Sequence, residues 1–334
     1  MTTSTEAAAG LDPGAGLRCS DYARSASLSP IGTSGSYAGY LLVEIPLPWP
    51  RDVGDTAEGA ALGPLIGPLR YRLQAIAPAA PAADPRRRRV ILHARRPGEA
   101  GFSGYRRFES LVGDSLADTA AALIAAAADD ARSDLESPAV DVLVCTHGSR
   151  DSCCGRRGAS LAVELAAAGV GAGLGAGVGA GLGAGENLLR TSHMGGHRFA
   201  PTFMVLPQGT VWGFADADLV ARVVRQTGDF ADVAARYRGC PGLDGPQVQA
   251  LEVEVLRRVG WSLLGMARTA SFDAGIAELT WTEGGRTVTW AGDVGPGRTV
   301  AAPPCLAPVG AVGAAAGAVG KSETEWAVTG VHRR

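Results

Sequence analysis

The chain is short of net charge, of aromatic side chains and of histidine, and each shortage removes a class of function. A formal net charge of −2 over 334 residues gives no reason to expect a nucleic acid or an anionic membrane as partner. Aromatics make up 6 % of the residues while Gly alone counts 47, so the apolar fraction carries less core volume than its size suggests. Six cysteines in a chain this long fall far below the density of a disulfide scaffold. The opening MTTSTEAAAGLDPGAGLRCSDY has no charged segment followed by an apolar one, so no secretory signal is expected. With the cysteines clustered, these features predict a cytoplasmic protein whose thiols serve metal or redox chemistry. The length is enough for a sizeable core and two modest domains.

A true membrane-spanning run is also missing. No charge occurs between Glu164 and Glu186, a length near the roughly 20 residues that cross a bilayer. Gly, however, occupies every second position from Gly169 to Gly185. Glycine adds almost no apolar surface and costs a helix about 1 kcal/mol per residue. The segment 169–185 therefore reads as a flexible low-complexity insertion in a loop. Strict alternation also excludes a G-x-G-x-x-G phosphate loop.

What is present reads as alternating strands and helices. Tyr40–Ile45 is a first strand ended by PLPWP, Ala61–Ile76 has helical spacing interrupted by Gly and Pro, and Val90–His93 is a second strand. Asp114–Asp134 is an Ala-rich helix with Asp114 or Ser115 as N-cap. Ala139–Cys145, apolar at nearly every position, is a central strand. Then follow a helix over Gly158–Ala168, a strand over Asn187–Thr191, a hairpin over Thr202–Leu206 and Thr210–Phe214, and a helix over Asp216–Gln226 capped by Asp216 or Asp218. Residues 245–262 form a further helix and 276–300 a hairpin through Glu283-Gly284-Gly285.

The fold class is α/β: a thioredoxin-like mixed sheet flanked by helices, with an N-terminal α/β half and a small C-terminal α+β extension. The expected organisation is a disordered N-terminus over 1–35 and an N-terminal α/β region over 36–135. A thioredoxin-like domain over 136–240 carries the insertion 169–185. A helix and hairpin over 241–302 and a mobile tail over 303–334 complete it.

Two loops carry the chemistry-bearing residues. CTHGSRDSCCGRRG, residues 145–158, supplies Cys145, His147, Cys153 and Cys154 at the end of the central strand. SHMGGH, residues 192–197, supplies His193 and His197 with two glycines between them that permit a tight bend. Thiolates and imidazoles converging from loops at one sheet end make a metal site. Cys154 lies just ahead of a helix start, where unpaired N–H groups stabilise a thiolate. Cys145-Thr-His147 has the spacing of a Rieske first loop. A second such loop would need a Cys beside its His, and none occurs between Cys154 and Cys240. His147 is therefore assigned to packing or to positioning a ligand. Arg150, Arg156, Arg157, Arg190 and Arg198 flank the motifs and suit an acidic redox partner. His93, Cys19, Cys240 and Cys305 stand isolated and receive no role.

CTHGSRDSCCG paired with HMGGHRFAPT resembles the sucrase/ferredoxin-like family, over roughly 36–260 and most closely over 138–215. The resemblance implies a thioredoxin-like ferredoxin domain and a [2Fe–2S] cluster held by two Cys of the first motif and two His of the second. The matching positions are Cys145, Cys154, His193 and His197, with Cys145 and Cys154 on one iron and the histidines on the other; the vicinal Cys153 is an alternative thiolate. It further implies a one-electron carrier, with proton coupling through the imidazoles, served by a redox partner such as a flavoprotein reductase. Nothing resembles the paired carboxylates of sugar hydrolysis. Two other readings of the same residues stay open: a Cys₂His₂ zinc protein, and a metal-free thiol oxidoreductase, which would lack the usual C-x-x-C.

Overall fold

The computed structural model describes residues 18–78, 88–129, 134–170, 185–303, 305 and 321–334. Thirteen strands and six α-helices lie among the described residues. The sheet begins with β1 (Gly39–Glu44), whose GYLLVE is buried at all but its last position. Helix α2 (Ala57–Ile66) follows α1 (Cys19–Ser25) in chain order and is capped by Thr56, whose hydroxyl accepts from the Gly59 N–H. It leads to β2 (Tyr71–Pro78), parallel to β1. On the other side of β1 lie β3 (Arg89–Ala94) and then β4 (Arg106–Leu111), each antiparallel to its neighbour. Helix α3 (Leu116–Ala128), capped by Ser115, closes this unit.

The same plan then repeats. Strand β5 (Val140–Cys145) passes through a π-helical turn over Cys154–Gly158 into α4 (Ala159–Ala167) and on to β6 (Glu186–Thr191), parallel to β5. Strands β7 (Phe203–Leu206) and β8 (Thr210–Trp212) add antiparallel, and α5 (Ala217–Arg225), capped by Asp216, completes the second unit. With β9 (Tyr237–Gly239), the two units form one nine-stranded sheet in the order β4-β3-β1-β2-β6-β5-β7-β8-β9. The expected division at 135/136 thus falls inside a single sheet.

The two units join head-on. Antiparallel β2 and β6 overlap only through their last residues, Ile76 with Thr191, Ala77 with Arg190 and Pro78 with Leu189. The carboxyl ends of the parallel strands from both units therefore meet at this seam, and strand carboxyl ends are where α/β sheets place ligands. Beyond the sheet, the largely buried α6 (Pro246–Val259) packs against a four-stranded antiparallel sheet of β10 (Arg268–Asp273), β11 (Ile276–Glu283), β12 (Arg286–Ala302) and β13 (Lys321–Arg333).

Several expectations need correction. The helical spacing of Ala61–Ile76 ends at Ile66, where a 3₁₀ turn over Gly67–Leu69 and a left-handed Arg70 (φ 56°) lead into β2. Strands β4 and β9 carry no clear alternation and were not anticipated. Part of the tail placed at 303–334 is the long strand β13, paired along β12. Of the N-terminus placed at 1–35 as disordered, Cys19–Ser25 is helical, and the Ser29 N–H donates to Glu325 on β13 at 2.8 Å. Residues 1–17, about half of the expected disordered segment, and 171–184, most of the expected insertion, lie outside the described residues. Among the described residues, no helix is long and apolar enough to cross a membrane.

A buried charge cluster ties the units together. Asp141 on β5 accepts from His93 Nε2 on β3 (2.7 Å), Arg107 Nε on β4 (2.7 Å) and Asn187 Nδ2 on β6 (2.7 Å). Burial pushes the Asp141 carboxyl up, but the hydrogen bonds and charges of His93 and Arg107 outweigh it and hold the group at about 2. Burial pushes the His93 imidazole down, against the hydrogen bond and charge of Asp141 that push it up. Arg107 keeps a second partner in Glu109, so loss of Asp141 leaves it only partly uncompensated. Asp141→Ala is expected to lower the unfolding free energy by about 3 kcal/mol, the low end for breaking a buried pair. Because the folded pKa is depressed, the stability from Asp141 is complete above its unfolded value near 4. It drains away as the pH falls through about 2, so urea midpoints measured down the acid limb should converge for wild type and variant.

Candidate metal centre

The first loop is set by how closely its helix approaches the end of β5. Cys145 is the last residue of that strand and is fully buried. At Gly158 a Cβ would fall 1.8 Å from the Cys145 carbonyl oxygen, so only glycine lets the π-helical turn press against the strand. Asp151 starts that helix: its Oδ1 accepts from the backbone N–H of Cys153 (2.8 Å) and of Cys154 (3.4 Å).

The second loop follows β6 and is held from both sides. The His193 N–H donates to His147 Nδ1 at 3.0 Å, and the other ring nitrogen of His147 donates to the Pro50 carbonyl at 2.8 Å. His147 is therefore fixed in one neutral tautomer, seated edge-on to Trp49, and positions the His193 backbone. Arg72 donates to the His193 carbonyl at 2.6 Å and Arg238 to the Gly195 carbonyl at 3.1 Å. Gly195 and Gly196 have φ of +85° and +69°, and a Cβ on Gly196 would lie 2.4 Å from the Arg238 guanidinium carbon.

These loops produce two neighbouring donor groups. In the inner group, the ligand atoms of Cys145, Cys154 and His193 lie within 4.8 Å of one another, with Cys154 Sγ 3.9 Å from His193 Nδ1. Cys145 is held well below the ordinary range, chiefly by a hydrogen bond from Cys154, whose own thiol is pushed well up. In the outer group, atoms of Cys19, Asp151, Cys153 and Cys305 lie within 4.8 Å of one another. Here the thiol of Cys153 is held at about 5, chiefly by a hydrogen bond from Cys19, which is pushed up in turn. His197 sits between the groups. Its Nδ1 is 2.9 Å from Asp151 Oδ2 and 3.1 Å from Cys19 Sγ, and its ring centroid is 6.0 Å from that of His193.

Of the four donors expected from sequence, Cys145, Cys154 and His193 are brought together, whereas His197 turns one nitrogen to the outer group. The vicinal Cys153 belongs to the outer group and stands apart from the inner one. Sequence reasoning missed Cys19 and Cys305, single cysteines with no motif, and the buried Arg238. Of the arginines flanking the motifs, Arg157 and Arg198 pair with Asp21 and Glu323, fastening the terminal segments. A cavity of about 880 Å³ beside Tyr105 and Trp261 has no cysteine or histidine on its wall.

A family model described as sucrase/ferredoxin-like matches residues 30–239, which contain both repeated units and both loops. Cys19 and Cys305 fall outside the matched stretch. No curated protein matches the chain, and no solved structure does.

The two loop glycines differ in what they face, and this separates two costs. Gly195→Ala would meet only the edge of Arg238, at 3.9 Å, and should lose about 1 kcal/mol for its left-handed backbone. Gly196→Ala must also displace the buried Arg238 from its bonds to Gly195 and Thr33. Its urea midpoint should fall at least twice as far.

Proposed function

The chain belongs to the sucrase/ferredoxin-like family, and from that membership and the inner donor group we propose that it is an electron carrier holding a [2Fe–2S] cluster. The observation that carries this reading is the convergence of two buried thiols and an imidazole where the carboxyl ends of both units meet. Within each unit two parallel and two antiparallel strands lie beside helices. We read the second unit, from β5 to α5, as a thioredoxin-like ferredoxin domain. Its donors are chemically suited to iron: Cys145 and Cys154 are soft sulfur ligands, and His193 presents Nδ1 toward them. His197 spends Nδ1 on Asp151 and Cys19, which leaves Nε2 as the nitrogen for a fourth bond. Bound there, the cluster would supply one-electron transfer.

The surrounding residues set the charge of the site. Two imidazoles in place of two thiolates remove about two negative charges, which favours the reduced state. Arg238 adds a buried positive charge beside the loop. Burial and the neighbouring Arg72 push its pKa down to about 10, so it remains protonated near neutrality. Histidine ligands can also take up a proton on reduction, which links the potential to pH. All six cysteines are free thiols, in keeping with a reducing cytoplasm, and a flavoprotein reductase is the partner class that fits a one-electron carrier.

The spacing of the inner three donors also suits a single zinc ion with an open fourth position, and colour separates the two at once. Freshly purified protein is expected to be red-brown, with two irons and two acid-labile sulfides per chain; a colourless protein without iron would sink the reading. Cys145→Ser and Cys154→Ser should abolish the visible absorption, and Cys240→Ser should leave it unchanged. His193→Cys should lower the midpoint potential and flatten its pH dependence in a spectroelectrochemical titration.

A further inference from the structure

We infer that the chain carries a second, separate metal site: a zinc ion bound by Cys19, Cys153 and Cys305 with Asp151 as the fourth donor. These residues come from the first helix, from the helix entry of the second unit and from beyond the end of β12. No local sequence feature links them, yet their ligand atoms meet within 4.8 Å. Cys19, Cys153 and Asp151 are at most lightly exposed, and Cys305 closes the group at the surface.

The spacing distinguishes a metal from a disulfide. Cys153 Sγ lies 3.6 Å from Cys19 Sγ and 3.2 Å from Cys305 Sγ. A tetrahedral zinc with Zn–S bonds of about 2.3 Å sets sulfurs about 3.8 Å apart, whereas a disulfide needs about 2.0 Å and takes only two of the three thiols. Cys153 is equidistant, within a few tenths of an ångström, from two candidate partners, which is a coordination pattern and not a pairing. The fourth donor is already oriented. Asp151 is fixed by the Cys153 N–H on Oδ1 and by His197 Nδ1 on Oδ2, the carboxylate–histidine arrangement that commonly steadies a metal ligand. Zinc binding would displace the thiol protons and leave three thiolates, with Arg198 close enough to feel the charge of both Cys19 and Asp151.

Such a site would pin both terminal segments over the histidine loop. Cys19 opens α1, which packs against His197–Phe199, and Cys305 follows β12, whose partner β13 holds residue 29 through Glu325. Structural zinc adds its binding free energy to folding, so the ion would hold Asp151, and through it His197, in place. This site does not depend on what occupies the inner group.

The test is metal analysis of the full chain, purified with reductant and without chelator, beside Cys305→Ser, Cys19→Ser and Cys145→Ser. One zinc per chain is expected in wild type and in Cys145→Ser, and at least a tenfold weaker affinity in Cys305→Ser and Cys19→Ser. Iron should be present in wild type, Cys305→Ser and Cys19→Ser and lost in Cys145→Ser. Cys305→Ser is the cleaner variant, since Cys19→Ser could loosen α1. As an independent measurement, cobalt(II) added to Cys145→Ser/Cys154→Ser should give an intense sulfur-to-cobalt charge-transfer band that Cys305→Ser removes. Three results overturn the site: no uptake of zinc or cobalt by wild type, zinc that follows Cys145 and ignores Cys305, or a native disulfide from Cys153 to Cys19 or Cys305. Zinc that depends on Cys305, with no iron, would uphold this site and sink the cluster above; iron without zinc would do the reverse.

Discussion

The three-residue overlap of β2 with β6 is the constraint from which the site follows. Had the two units paired along full strands, their loops would lie at opposite ends of the sheet. Because only Ile76–Pro78 and Leu189–Thr191 meet, the strands run into one another by their carboxyl ends and both sets of loops share one place. The contacts across the seam are then direct. The Ser192 hydroxyl accepts from the Ala75 N–H, and the loop after β1 gives its Pro50 carbonyl to His147, which orients His193. A residue of the first unit thus sets the geometry of a donor in the second. Asp141 on β5 likewise reaches strands of the first unit that do not pair with its own, bonding His93 on β3 and Arg107 on β4.

Electrostatics around the thiols show why the site needs its arginines. In each buried thiol pair one sulfur is pushed toward the thiolate and its neighbour away from it, in a region poor in water. Exposed lysines would serve weakly here, because screening reduces distant surface charges. Arg72 and Arg238 instead donate to carbonyls of the histidine loop while their charge stays close. Guanidinium suits this double duty, with several donors in a fixed fork and a charge that survives burial.

The sequence made the chemistry legible wherever residues were near one another along the chain. The loop from Cys145 to Cys154, the pair His193 and His197, and the strand–helix alternation from residue 140 to 225 all declare themselves by spacing. What was hidden depends on long-range closure. Strand β4, with Arg106 and Arg107 at its start, breaks the apolar pattern because those arginines pair with Glu136 and Asp141. Cys19 and Cys305 are unremarkable in their local sequence and acquire meaning only when the ends of the chain fold over the second loop. The Gly- and Ala-rich terminal regions look unstructured by composition, yet Glu325, Trp326 and Arg298 anchor the N-terminal segment to β13 and β12.

The doublings in the two motifs have a common geometric origin. Consecutive residues at a helix start point about 100° apart, so Cys153 and Cys154 cannot face the same centre, and they turn to the outer and inner groups respectively. The histidine loop makes the same division with a glycine bend in place of a helix, sending His193 inward and the Nδ1 of His197 outward. An imidazole, unlike a thiol, has two donor atoms on different edges of one ring. His197 can therefore serve the outer group through Nδ1 and keep Nε2 for the inner one, and Asp151 fixes which nitrogen faces outward.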